Sequence, residues 1–248
     1  MRTVVVGASS GLGRCIAVGL GKRGATVALL ARRKERLADA AREAGPEALP
    51  VVCDVTDEAS VSSALAQAAH ELGGIDALVY ATGIGPLARL ADVDAAMWRT
   101  LFDTNVIGAS LVTAAVLPHL MASGGSAAYL SSTSASITPP WPGLGAYTVS
   151  KAALNKLVEA WRAEHPSVGF TQVTVGDCAG GEGDSTTEFS AGWDPELAAE
   201  MAPIWIARQY MYGSLLKVEE LVSVLDTVLR CGPSANIPTV TVVPRPPA

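Results

Sequence analysis

The sequence runs to 248 residues with a formal net charge of −6, 49% hydrophobic residues and 17% charged ones. That length and hydrophobic share fit one large α/β domain with ample core and exclude a disordered chain. The acidic balance excludes nucleic acid and anionic membrane surfaces as the main partners.

The opening residues, Met1-Arg2-Thr3-Val4, run straight into a strand with no signal peptide. The four cysteines, Cys15, Cys53, Cys178 and Cys231, are far apart with no Cys-x-x-Cys, so reduced thiols in a cytoplasmic protein are expected, with no metal site. The richest apolar run, Ile107 to Leu117, ends at Pro118 and His119, short of the ~20 residues a membrane span needs.

Val4-Val5-Val6 followed by Gly7-Ala8-Ser9-Ser10-Gly11-Leu12-Gly13 reads as strand, glycine turn and helix, with Leu12, Ile16, Ala17 and Leu20 on one helical side. Glycines at such a junction let backbone approach a pyrophosphate lying on the helix N-terminus, where free N–H groups and the helix dipole favour anions. Gly7 to Gly11 also fits the Gly-x-Ser-x-Gly nucleophile elbow of α/β-hydrolases, with Ser9 as nucleophile. That alternative lacks an earlier strand for an oxyanion hole, and His70, His119 and His165 all fall within or at the end of predicted helices.

Thr26 to Leu30 forms the second strand and leads to Arg32 and Arg33. At this point of a dinucleotide fold an acid would bind the 2′-hydroxyl of NAD, whereas guanidiniums suit the 2′-phosphate of NADP. Pro50 to Cys53 is a third strand, followed by Asp54 and Val55, with Thr56 or Asp57 as N-cap of a helix reaching Leu72. Ile75 to Ala81 is a fourth strand leading to Thr82-Gly83. Alternating strands and helices with short connections predict a doubly wound parallel sheet, and no linker or repeat divides residues 1–248 into more than one domain.

Asp94 to Leu120 reads as one long helix, interrupted near Asn105 or Gly108. A fifth strand ends among Ser131 and Ser132, Tyr147 to Glu164 is helical, Phe170 to Val175 is a sixth strand, and 176–216 reads as irregular. Within that stretch residues 185–215, with the bulky apolar side chains from Phe189 to Tyr212, form a candidate lid over an apolar substrate pocket, or else pack on the core or a subunit interface. Val218 to Leu229 is the last helix and Thr239 to Val243 the last strand.

Tyr147 and Lys151 stand four apart on one helical face. A phenol ordinarily titrates near ~10, and a fixed ammonium beside it favours the phenolate and brings it toward the working range.

In this order, Gly7/Gly11/Gly13, Asp54, Gly83, Asn105, a serine ending the fifth strand, and Tyr147 with Lys151 resemble the short-chain dehydrogenase/reductase family along nearly the whole chain. The resemblance implies one Rossmann-like domain with a seven-stranded parallel sheet flanked by helices on both faces. It further implies NAD(P)-linked hydride transfer between a carbonyl and an alcohol, and assembly as homodimers or homotetramers. Tyr147 would then be the acid and base, Lys151 its tuner and the holder of the nicotinamide ribose, and a serine the anchor of the substrate oxygen. Asn105 would support Lys151 through a water. Spacing back from Tyr147 points to Ser134 as that serine, whereas the lead-in from Gly124-Gly125 and Asn105 points to Ser132, which is preferred because loops vary more readily than strands.

The cofactor residues implied are Gly7, Ser9, Ser10, Gly11, Leu12, Gly13, Arg32, Arg33, Asp54, Val55, Ala81, Gly83, Tyr147 and Lys151. Two segments depart from the family pattern. Tyr80-Ala81-Thr82-Gly83 replaces Asn-Asn-Ala-Gly, and Gly176-Asp177 replaces Pro-Gly, with Thr186 or Thr187 left to bind the carboxamide. The expected function is an NADP-dependent oxidoreductase acting on a small carbonyl or secondary alcohol. The departures keep open a catalytically idle NADP-binding regulator on the same scaffold.

Overall fold

The computed structural model describes residues 1–246 apart from Tyr212 and Pro233, with backbone only at Asp184. Tyr212, expected in the candidate lid, and the last two residues of the expected domain therefore lie outside the described residues. Seven strands form one sheet in the order β3-β2-β1-β4-β5-β6-β7, every pair parallel. They are β1 (Arg2–Val6), β2 (Thr26–Ala31), β3 (Leu49–Val52), β4 (Ala77–Tyr80), β5 (Ser126–Ser132), β6 (Gly169–Val175) and β7 (Thr239–Val242).

The strands read as unbroken apolar runs because both sheet faces are covered. Val4 and Val6 of β1 and Leu78 and Tyr80 of β4 point into one core, shared with α3 (Glu58–Leu72), α5 (Gly108–Ser123) and α6 (Gly145–Glu164). Val5 and Val79 point into the other, shared with α1 (Gly11–Lys22), α2 (Lys34–Ala44) and α8 (Val218–Leu229). Strand β1 lies between β2 and β4, where the chain reverses its direction of winding, so a crevice opens at the C-terminal ends of β1 and β4. Ligands of open α/β sheets bind at such a switch point.

The helix signals are mostly where the sequence puts them. Asp57, rather than Thr56, caps α3 by accepting the N–H groups of Ala59 (2.9 Å) and Ser60 (3.3 Å), and Gly73 closes the helix at φ 70°. The long helix runs further than expected, from α4 (Ala95–Phe102) through a π-turn at Asp103–Ile107 into α5, 29 residues in all, and Pro118 does not end it. Its most apolar 18-residue stretch has a mean hydropathy of 1.7, so the helix is long and apolar enough to cross a membrane, contrary to the shorter run read from the sequence. In the fold it is a layer on the sheet, with Leu101, Ala109, Val112, Val116 and Leu120 buried.

The stretch 176–216 is not irregular throughout. It holds a 3₁₀ turn at Gly183–Ser185 and α7 (Pro195–Ala207), capped by Asp194, whose carboxylate accepts the Glu196 N–H at 2.9 Å. The start signal Asp194-Pro195-Glu196 was present in the sequence. Pro203, inside the helix, obscured it.

The π-turn has an identifiable support. Tyr80, buried at the end of β4, donates its hydroxyl hydrogen to the Thr104 carbonyl at 2.6 Å. What reads in sequence as a departure from the family pattern therefore occupies a backbone acceptor that the π-turn presents. Replacing Tyr80 with Phe removes this buried hydrogen bond and should cost about 1–3 kcal/mol, read from the urea midpoint with an unchanged denaturant slope. An unchanged midpoint would show that the hydroxyl does not support the turn.

Candidate active site

A cavity of about 1090 Å³ spans the C-terminal ends of β1, β4, β5 and β6. Of the site residues expected from sequence, Gly7, Ser9, Ser10, Gly11, Leu12, Gly13, Arg32, Arg33, Asp54, Val55, Ala81, Gly83, Ser132, Tyr147 and Lys151 all line it. Asn105 is the exception and stands behind the wall.

In the middle of the trough is the glycine turn. Gly7 adopts φ +90°, and a Cβ on Gly13 would come 2.2 Å from the Gly7 carbonyl oxygen, so α1 packs directly on the turn only because residue 13 has no side chain. Ser10, at the N-cap of α1, makes no side-chain cap bond. The first-turn N–H groups are thus left without a side-chain acceptor at a helix N-terminus, an arrangement that fits a pyrophosphate.

One end of the trough is cationic. The Arg33 guanidinium donates to the Ser9 hydroxyl (2.9 and 3.1 Å) and to the Ser10 hydroxyl (2.6 Å). It also forms an ion pair with Glu188, which Arg36 joins from the other side. Partial burial would raise the Glu188 carboxyl, but hydrogen bonds from Arg36 and Arg33 outweigh it and hold it below the ordinary glutamate range. Asp54 is held low chiefly by the Thr56 N–H, at 3.0 Å, with the Thr56 hydroxyl and the charge of Arg32 adding to it. Ser9 cannot be the activated nucleophile of a hydrolase here: its oxygen faces a guanidinium, and His70, His119 and His165 lie on α3, on α5 and at the end of α6.

At the other end Tyr147 and Lys151 project from one face of α6, with Lys151 Nζ 6.0 Å from the Tyr147 ring centre. Lys151 is 4% exposed, donates to the Leu130 carbonyl at 2.9 Å, and is pushed down to about 8 by burial, so it carries its charge at neutral pH. Burial pushes the Tyr147 phenol up to about 12, against a hydrogen bond with Ser132 that pulls it the other way. The depression of Tyr147 expected from the neighbouring ammonium is therefore outweighed by burial in this structure.

The two candidate serines differ in place. Ser132, the last residue of β5, lies 3.0 Å from the Ser134 hydroxyl, and its side chain is the one that engages Tyr147. Ser134 is 5% exposed and accepts from the Thr148 hydroxyl at 3.2 Å.

Asn105, fully buried in the π-turn, accepts the Ile84 N–H (2.9 Å) and donates to the Ile84 carbonyl (2.9 Å) and the Ser150 hydroxyl (2.8 Å). Both its donors are committed, and its side chain joins the loop after β4 to α6. The Ser150 hydroxyl continues the chain by donating to the Tyr147 carbonyl at 2.7 Å.

Residues 186–193 form a strap within the candidate lid, and of its members sequence reasoning missed Glu188. Thr187 lines the cavity beside Gly11, Glu188 reaches the arginines, and Phe189 sets its edge against the Tyr147 ring with centres 4.9 Å apart. Trp193 follows, its indole N–H on the Gly85 carbonyl at 2.8 Å, and contacts both Phe189 and Trp205. Of the candidate lid, Phe189, Trp193, Trp205 and Met211 line the cavity. Met201 and Tyr210 instead pack into a small separate core with Leu87 and Leu144. No periodicity marks Glu188, a single acid in a loop.

A family model described as short chain dehydrogenase matches residues 2–193. A short chain dehydrogenase of Pseudocercospora fijiensis is 31% identical over 241 residues, covering 94% of this chain and 76% of its own. The cis-4-hydroxycyclohexanecarboxylate dehydrogenase of Sinomonas cyclohexanicum is 34% identical over 221 residues, 88% of this chain and 84% of its own. Among solved structures, the closed form of serine dehydrogenase in complex with NADP+ superposes with a TM-score of 0.81 at 26% identity, over 98% of this chain and 94% of its own.

The Asn105 contacts have a measurable weight. Asn105→Ala leaves the Ile84 N–H and carbonyl and the Ser150 hydroxyl without their partner, and should destabilise the fold by about 2–4 kcal/mol in chemical denaturation. A loss below ~0.5 kcal/mol, the level of an ordinary surface substitution, would mean the amide does not brace the site.

Proposed function

The chain belongs to the short-chain dehydrogenase family of oxidoreductases, and we propose that it moves hydride between NADP and a neutral, largely apolar carbonyl or secondary alcohol, with Tyr147 as acid and base. The observation that carries this reading is the meeting of Tyr147, Lys151 and Ser132 at one end of a trough whose other end holds Arg32 and Arg33. The residues present fit the cofactor. The glycine turn and α1 would hold the pyrophosphate, and Arg33, with Arg32 and Arg36 beside it, the 2′-phosphate. Asp54, Val55, Ala81 and Gly83 would bound the adenine side, Lys151 and Tyr147 would take the nicotinamide ribose, and Thr187 the carboxamide.

The nicotinamide, when bound, supplies or accepts the hydride. In reduction Ser132 holds the carbonyl oxygen, and Tyr147 gives its proton to that oxygen as the carbon gains hydride. A phenol held near 12 is fully loaded for this at neutral pH. Lys151, still charged, stabilises the tyrosinate left behind. In oxidation the tyrosinate takes the hydroxyl proton while the carbon loses hydride.

The substrate end is built of rings and aliphatic groups: Phe189, Trp193, Trp205, Trp141, Met97 and Leu144. Among the described lining residues the cations are Arg32 and Arg33 at the far end and Lys151 beside Tyr147, while Asp94 lies on the substrate side. A free carboxylate there would be desolvated without a partner. Residues 185–215 act as the lid over this pocket. The exposed Ile107 and Met121 on the long helix and Val149 on α6 support a helix-pair interface between copies of a homodimer or homotetramer. Free thiols at all four cysteines support a cytoplasmic setting.

Tyr147→Phe should lower kcat for NADPH-dependent carbonyl reduction by roughly 10³-fold with cofactor binding retained, the size expected for loss of a positioned proton donor. Ser132→Ala should lose turnover far more than Ser134→Ala. The reverse order would assign the oxygen anchor to Ser134, and full activity in Tyr147→Phe would sink the proton-transfer role.

Substrate charge supplies a second test. The methyl ester of 4-oxocyclohexanecarboxylate should exceed the free acid in kcat/KM by at least about tenfold, since burying an unpaired carboxylate costs more than one such factor. A preference for the acid would refute the neutral-substrate reading.

A further inference from the structure

The cationic end of the trough already holds an anion, and that anion belongs to the chain. The Glu188 carboxylate takes one guanidinium on each oxygen, Arg33 on Oε2 and Arg36 on Oε1, and the Ser10 hydroxyl points to Oε2 at 3.4 Å. Two planar donor forks and a hydroxyl converging on one acidic group is an arrangement suited equally to a phosphate monoester. The residue that occupies it sits between two others that reach the rest of the trough. Thr187 lies against Gly11, and the Phe189 and Tyr147 rings meet edge to face. The ion pair thus fastens the strap at the adenosine end while the aromatic contact fastens it at the catalytic end.

We infer that Glu188 is a specificity-determining residue that competes with the cofactor's 2′-phosphate for Arg33 and Arg36. The inference rests on the NADP reading above. A nucleotide bearing the 2′-phosphate offers the guanidiniums a dianion in exchange for the carboxylate and so frees the strap. One without it leaves the carboxylate in place on the two guanidiniums, holding the strap down. Because Glu188 and both arginines are about 40% exposed, the competition is modest and sensitive to salt.

Calorimetric titration with 2′,5′-ADP and with 5′-ADP reads this without any turnover. Glu188→Gln keeps the shape and removes the charge. It should bind 2′,5′-ADP about three- to tenfold more tightly than the unaltered protein, the span expected of an exposed ion pair, with 5′-ADP changed less than twofold. The gain should shrink at high ionic strength, and thermal unfolding of the variant should remain cooperative. Unchanged or weaker binding of 2′,5′-ADP by the variant, or an equal gain for both nucleotides, overturns the competition. If neither protein distinguishes the two nucleotides, the NADP reading itself fails, and the inference falls with it.

Discussion

A single buried carboxamide sets the geometry on which the Tyr147 end of the trough depends. Asn105 has no solvent exposure and ties the Ile84 backbone to Ser150, whose hydroxyl bonds the Tyr147 carbonyl. These contacts are possible because the long helix widens to a π-turn at this position, turning residue 105 toward the sheet edge. Tyr80 completes the support by occupying the Thr104 carbonyl. A loop after β4, the long helix and α6 converge there, and their register fixes where Tyr147 stands relative to the glycine turn. Unpaired buried amides are costly, so few alternative arrangements compete.

Burial governs the charges at that end. Lys151 gains one backbone acceptor, Leu130, and loses most of its hydration, which brings it down to about 8. The same desolvation raises Tyr147 to about 12. The two shifts oppose the simple picture of an ammonium acidifying a phenol, because at 6.0 Å from the ring centre the lysine does not offset what the phenolate loses on leaving water. Proton donation is favoured in this state of the site, and proton abstraction is the more demanding direction.

Much of this was legible in the sequence because the responsible residues act locally. The glycine turn, the run of alternating strands and helices, and the Tyr147–Lys151 spacing each follow from periodicity or backbone freedom within a dozen residues. Both fold and family follow from their order. Less legible were features made by contacts across long separations. Tyr80 and Gly176-Asp177 read as gaps in a pattern, but Tyr80 is a support for a helix 24 residues away. Helix α7 carried a sound start signal, yet Pro203 and an apolar character on all sides masked its period. Glu188 reaches arginines more than 150 residues earlier, and no local rule connects them.

The strap makes the two ends of the trough mutually dependent. Thr187, Glu188 and Phe189 are consecutive, so a shift that breaks the ion pair at one end moves an aromatic ring at the other. The two contacts differ in kind. The edge-to-face contact of Phe189 and Tyr147 is a half-buried ring pair worth ~0.5–1.5 kcal/mol beyond its buried area, insensitive to salt. The Glu188 pairs are solvent-exposed, worth ~0–1 kcal/mol each, and screened. Both are weak and of comparable size, and the Trp193 indole on the Gly85 carbonyl anchors the strap further along. Of the two, the charged one discriminates, since only a competing anion displaces it, and the ring pair then yields to whatever apolar group the opened pocket admits.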